Sequence, residues 1–300
     1  MSDKIIHELR VGMDPQESEA AQPQVDATTR KLFDEYSASV VKIKTDHGSG
    51  SGFAIDTKGD IATDAHVVLG NQHVSVITLD GKEHKAVIKA LDDINDLAIV
   101  HIEDEVPPSL KPLELGSSAS LKPDDEVWAF GHPKGWDSQY VSPGYFRKAE
   151  KGQDVLDAEN ETVRNHAKSV LDGMTPKERV EAEAELKKPM LNGRVNIQHG
   201  NSGGPLLDKD GKVVGITDLS NMQSNSDFTP VESLVALMKQ DKPKFQFNYK
   251  MIDNVPTLTD LTRTDGSYRA PFVDKVICMG NDYEPGKPDE RNDGTRKSQM

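Results

Sequence analysis

The sequence predicts an all-β protein made of two antiparallel, six-stranded-type barrels, with a helical hairpin inserted into the second. Three observations lead there. Short apolar runs follow one another closely between residues 39 and 102, punctuated by Lys58-Gly59 and Asp80-Gly81, which is how a small antiparallel barrel reads in sequence. A proline-containing connection, 106–112, then leads to a second strand set that begins at Val127. Finally, the stretches that carry reactive residue types, around His66, Asp96 and Ser202, divide between the two sets.

The elements follow in order. Residues 1–37 form an N-terminal arm and a short helix: 9–25 are polar and contain Pro15 and Pro23, and 28–36 place Leu32, Phe33 and Tyr36 on one helical side. The first barrel, 38–112, has strands at 39–44, 52–56, 61–63, 73–79, 85–91 and 97–102. The second, 113–240, opens with Val127-Trp128-Ala129-Phe130 and the turn Gly131-His132-Pro133-Lys134-Gly135, where His132 reads as structural and not as a second base. Between 152 and 189 the period changes to that of a helix. Leu156, Val163, Ala167, Val170 and Leu171 share a face closed by Asp172-Gly173, and Thr175-Pro176-Lys177-Glu178 starts another helix. The charged residues of that second helix, from Lys177 to Lys187 and Lys188, read as solvated. Lys209-Asp210-Gly211 marks a hairpin turn before a strand at 212–217, and Thr229-Pro230 starts a last helix. The tail, 241–300, offers two short strands, 245–249 and 272–278, and about fifteen final residues that read as disordered.

Composition bounds the partners. A chain of 300 residues with 35% hydrophobic content can bury a sizeable core. The formal charge of −14, with no basic stripe, argues against nucleic acid or an anionic membrane. A single cysteine, Cys278, excludes an intrachain disulfide framework. Nine histidines are scattered without metal-ligand spacing, so no metal and no cofactor are expected. No stretch has transmembrane length, and the first residues, Met1 to Glu8, lack the apolar core of a secretory signal, which reads as an unexported, cytoplasmic chain.

The chemistry centres on Gly200-Asn201-Ser202-Gly203-Gly204-Pro205. A serine flanked by glycines lets the backbone turn sharply and brings amide N–H groups close to a carbonyl under attack. A serine hydroxyl is a poor nucleophile until a base takes its proton, and the base needs an acceptor to hold its tautomer. His66, after the half-apolar run 59–65, and Asp96, at the head of the strand 97–102, supply those parts. The order His, Asp, Ser is that of a two-barrel arrangement and not of α/β-hydrolases.

Together with Gly48-Ser49-Gly50-Ser51-Gly52-Phe53, the runs His66-Val67-Val68, Asp96-Leu97-Ala98 and Gly200-Asn201-Ser202-Gly203-Gly204-Pro205 resemble the trypsin-like domain of HtrA (DegP/DegQ-type) serine proteases over residues 38–240. The resemblance implies a serine endopeptidase acting on unfolded or flexible polypeptides in protein quality control, with His66, Asp96 and Ser202 as the triad and the amides of Gly200 and Ser202 as the oxyanion hole. It implies a substrate pocket near Asn196, Ile197, Thr217, Asp218 and Leu219, with no acid at Asn196 and hence apolar side chains at the cleaved position. It also implies a homotrimer built by the N-terminal segment, with Phe33 and Tyr36 as subunit contacts, and a periplasmic or extracytoplasmic site of action. No PDZ module, common in that family, is recognised after residue 242. A latent, protease-like chaperone or binding protein is the alternative function.

Overall fold

The computed structural model describes residues 26–264, apart from 136, 159–160, 222–224 and 241–242. The expected arm 1–25, the strand at 272–278 and the final residues lie outside the described residues. Two closed six-stranded antiparallel barrels form the body of the molecule. The first contains β1 (Val40–Thr45), β2 (Ser49–Ala54), β3 (Asp60–Thr63), β4 (Val74–Ile77), β5 (Glu83–Asp92) and β6 (Leu97–Ile102), closed in the order β1-β2-β3-β6-β5-β4. The second contains β7 (Glu126–Gly131), β8 (Tyr140–Lys151), β9 (Pro189–Val195), β10 (Pro205–Leu207), β11 (Val213–Asn221) and β12 (Asn225–Pro230), closed as β10-β11-β12-β9-β8-β7.

The period of two along each strand decides which core a side chain joins. On β1, Val41 and Ile43 fill the first barrel, while Val40 points to the other side. On β7, Val127 and Ala129 fill the second barrel, while Trp128 and Phe130 point away from it. The outward set meets between the barrels, where Val40, Phe53, Leu97, Trp128, Phe130 and Leu207 form one buried cluster. Fully burying each of these side chains is worth about 2 kcal/mol, so the seam between the barrels is itself a core.

Two helices cover that seam. Helix α1 (Ala27–Tyr36) is capped by Asp26, whose carboxylate accepts the Thr29 N–H at 2.9 Å. Its Leu32 and Phe33 enter the inter-barrel cluster, and Thr29 Oγ1 accepts the Trp128 indole N–H at 2.8 Å. Phe33 is therefore used inside its own chain, which removes it as the expected subunit contact; Tyr36 packs half-buried against the same cluster. At the other end of the domain α6 (Val231–Met238) buries Val231, Leu234 and Leu237 in that cluster. Among the described residues, no helix is long and apolar enough to cross a membrane.

Three elements differ from expectation. A four-residue helix, α2 (Ala65–Val68), carries His66. The insertion between β8 and β9 holds three helices and not a hairpin: α3 (Gly152–Ala158), α4 (Glu161–Gly173) and α5 (Pro176–Leu186). After α6 the chain forms a two-stranded sheet, β13 (Phe245–Ile252) with β14 (Val255–Arg263), joined by Asp253-Asn254, both at positive φ. Phe245 and Leu258 add to the core of the first barrel, and Tyr249 Oη accepts the Ile88 N–H at 2.6 Å. Burial raises the Tyr249 phenol to about 12, so it stays neutral in that role.

Candidate active site

His66 and Asp96 come from neighbouring segments of the first barrel. Asp96 closes the turn between β5 and β6 at φ 53°, an unusual backbone setting for a residue other than glycine that turns its carboxylate onto α2. One oxygen accepts the His66 backbone N–H at 2.8 Å, and the other lies 2.6 Å from His66 Nδ1. The double contact sets both the position and the tautomer of the imidazole, leaving Nε2 as the atom that can take a proton. The exposures differ as the chemistry requires: the His66 side chain is 31% accessible and the Asp96 side chain 1%. Burial alone would raise the Asp96 carboxyl, but the charge and hydrogen bond of His66, joined by the charge of Lys188, hold it below its ordinary value. A second buried carboxylate, Asp64, lies 4.0 Å from His66 Nδ1. Asp64, His66 and Asp96 bring ligand-type atoms within 4.8 Å of one another, a closeness that the His66 and Asp96 pairing already explains.

Ser202 comes from the second barrel on a tight loop before β10. The loop is built on internal turns, Asn201 N–H to the Gln198 carbonyl at 3.0 Å and Gly204 N–H to the Asn201 carbonyl at 2.9 Å, and is pinned to β11 by Gly203 N–H to the Thr217 carbonyl at 2.9 Å. Gly203, at φ 82°, has no room for a side chain, since a Cβ there would collide with Thr63 and with the backbone of Ser51 and Asp64. That approach presses the nucleophile loop against the segment leading to His66. The Ser202 hydroxyl lies 3.5 Å from the Asp218 carbonyl.

Ser51, fully buried on β2, ties this loop to the first barrel and was not singled out by the sequence reading. Its N–H donates to the Ser202 carbonyl at 2.8 Å, and its hydroxyl donates to the Gly200 carbonyl at 2.6 Å while accepting the His132 N–H at 2.8 Å. His132 thus holds a structural turn through its backbone, and its ring is buried. In the same loop the His199 carbonyl accepts the Lys134 N–H at 2.5 Å, and Gly200 sits at φ 97°. Because a peptide unit is planar and trans, fixing that carbonyl sends the Gly200 N–H to the opposite side.

The expected pocket residues differ in their surroundings. Asn196 is exposed just beyond the end of β9, and Ile197 packs into the core of the second barrel with Val195 and Phe228. Thr217 is buried, with its backbone bonded both ways to Gly203 and Gly204. Leu219 pairs with Asp227 along β11, and its side chain lies outside what is described. Asp218 is buried, and its carboxylate meets Lys188 Nζ at 3.0 Å with side-chain exposures of 0% and 3%. Lys188, expected in solvent at the end of a charged helix, is instead inside the protein. The near neighbour Asp227 is pushed up to about 7, by burial above all and by the charges of Glu150 and Asp218, against the hydrogen bond from Asn192 and the charge of Lys188.

A histidine oriented by a sealed carboxylate on one of two six-stranded β-barrels, with a glycine-flanked serine on the other, is the arrangement of the class of trypsin-like peptidases. The family model described as trypsin-like peptidase domain matches residues 50–216, and the chain belongs to that family. Within it the chain carries an HtrA/DegP-like protease domain. It is 27% identical over 250 residues to HhoB of Synechocystis sp., assigned by name to the serine proteases, covering 81% of this chain and 53% of that protein. It is 33% identical over 167 residues to a DegP-like protein of Halomonas elongata named as a periplasmic serine endoprotease, covering 56% of this chain and 28% of that protein. The chain thus spans about half or less of the length of these relatives. The solved HtrA-type protease AlgW, with tripeptide, superposes with a TM-score of 0.56 at 21% identity, covering 74% of this chain and 68% of that one, a likeness of fold.

Proposed function

We propose that this chain is a serine endopeptidase that cleaves unfolded or flexible polypeptides by acyl transfer in protein quality control. The observation that carries the reading is the His66 to Asp96 pair at 2.6 Å, held by the first barrel to which Ser51 also bonds the Ser202 loop. In this reading Ser202 Oγ attacks the scissile carbonyl while His66 takes its proton, and His66 then returns a proton to the leaving amine. Asp96, sealed from water and kept ionised, orients the imidazole and stabilises its cation. The Gly200 and Ser202 amides receive the developing oxyanion, and the His199 carbonyl, fixed by Lys134, supports the orientation of the first of them. No cofactor takes part.

Substrates bind in extended form beside β11, where the Asp218 carbonyl lies next to the nucleophile. Small or medium apolar side chains are cut, since Asn196 offers no acid to hold Lys or Arg. The site of action is extracytoplasmic, as the DegP-like relative's name says of that protein. A homotrimer built by the N-terminal segment belongs to the same proposal, with Tyr36 in place of the buried Phe33.

Casein digestion by wild type and by Ser202→Ala tests the activity, with cleavage sites mapped by mass spectrometry. The expected result is digestion by the wild type after apolar residues and none by the variant at an unchanged melting temperature. Equal digestion by both proteins would refute the nucleophile, and cuts mainly after Arg would refute the specificity.

A further inference from the structure

The protease reading uses Ser202, His66 and Asp96 but leaves a buried lysine beside them unexplained. Among the described residues Lys188 is the one lysine or arginine in the interior, and it sits in acidic company. Its ammonium meets Asp218 at 3.0 Å. Asp218 in turn touches Ser202 directly and, through Thr229, reaches the segment before Asp96. Its carbonyl lies 3.5 Å from Ser202 Oγ, and its carboxylate oxygen lies 3.2 Å from Thr229 Oγ1, which is 3.3 Å from the carbonyl of Asn95, the residue before Asp96.

The charged groups around this core are uneven in sign. Asp64 and Asp96 face His66, and Asp227, which accepts a hydrogen bond from Asn192 at 2.8 Å, is near enough to Asp218 and Lys188 to feel their charges. Glu150, also near Asp227, pairs with the more exposed Lys148, and Arg147 reaches Asn192. Each buried carboxylate near the imidazole favours its protonated form, which cannot act as a base. An interior cation opposes that bias.

We infer that Lys188 is a positioning residue for the triad: paired with Asp218, it fixes the strand beside Ser202 and balances the buried carboxylates, so that His66 stays an available base. The inference rests on the proposed triad. It also gives the end of the insertion a task, because Lys188 follows α5 and its carbonyl accepts the Gly152 N–H at 3.1 Å, closing the base of the three-helix insertion.

Charge balance makes a signed prediction that packing alone does not. Removing the cation in Lys188→Met leaves Asp218 unopposed, favours the His66 cation, and moves the acidic limb of kcat/KM up by roughly half a pH unit or more. Removing the anion in Asp218→Asn leaves Lys188 unopposed and moves the limb down by a similar amount. Removing both restores it. The measurement is the pH profile of kcat/KM on a peptide nitroanilide ending in Val, for wild type, both single variants and the double variant.

Opposite displacements that cancel in the double variant establish the inference, whereas limbs that coincide, or that move the same way in both single variants, overturn it. Should Lys188→Met fail to fold, the Asp218→Asn and double variants carry the test: a downward limb cancelled by the second substitution supports the inference, and equal limbs refute it. A wild type with no turnover would instead refute the protease reading, so the two failures are distinguishable.

Discussion

The two barrels share a topology but hold their parts of the site by different physics. The first presents His66 and Asp96 through two hydrogen bonds on a scaffold of Val41, Ile43, Ile61, Val76 and Val100, and of its further buried acids Asp60 and Asp92 meet the half-exposed lysines Lys89 and Lys244. The second holds Ser202 by backbone bonds, and behind its strands keeps Lys188, Asp218 and Asp227 out of water. The doubled contact with Asp96 fixes the base. A barrel with an interior cation makes the nucleophile's surroundings sensitive to pH and to the insertion that supplies Lys188. Ser51 is the joint, since its bonds cross from β2 to the carbonyls on both sides of Asn201.

Breaking the first barrel's contribution should have the largest effect. Asp96→Asn keeps the shape but stabilises the wrong imidazole tautomer, so kcat against a peptide nitroanilide should fall about 10⁴-fold. A loss under tenfold would mean that Asp96 does not orient the base. Cutting the joint should cost less. Ser51→Ala removes the hydroxyl that donates to the buried Gly200 carbonyl and accepts the His132 N–H, a penalty of about 1–3 kcal/mol, and loosens the loop whose amides receive the oxyanion. A stability loss of that size by urea denaturation should accompany a fall in kcat of roughly tenfold or more. An unchanged kcat in a folded variant would confine Ser51 to a structural role.

A last effect, on stability and not on rate, sharpens the contrast in buried charge. Asp227 holds its proton to about 7 in the folded chain, above the ordinary aspartate value of 3.8. The unfolded chain therefore releases that proton at lower pH, and stability is lost as pH rises from near 4 through 7, by up to about 4 kcal/mol for this group. Asp227→Asn should flatten the fall in melting temperature over that window without lowering stability at pH 7. An identical slope in both proteins would show that Asp227 ionises normally.

What sequence revealed follows the same division. The strands of the first barrel were legible because apolar residues alternate with a period of two and turns carry Gly or Asp, and the triad because its motifs are local and ordered. Lys188 was not legible: a lysine after a charged helix normally faces water, and only the fold brings Asp218 to it from thirty residues away. The break between α3 and α4 was missed because Leu156 and Val163 fit a single helical face. Phe33 looked available to another subunit because a sequence does not say which surface an amphipathic helix covers; the seam between the barrels claims it. For β14 a signal did exist, as Asp253-Asn254 is a pair that tolerates positive φ and Val255, Leu258 and Leu261 follow it. Ser51 lay inside a recognised glycine-rich run, but its bonds to the nucleophile loop span about 150 residues and are set by barrel docking.

The central claim is that Ser202 is an activated nucleophile in an ordered site, and fluorophosphonate labelling tests it most directly. The wild type should gain one phosphonyl adduct by intact mass, mapped to Ser202, and His66→Ala should label far more slowly. A folded wild-type protein that takes up no label would contradict the account.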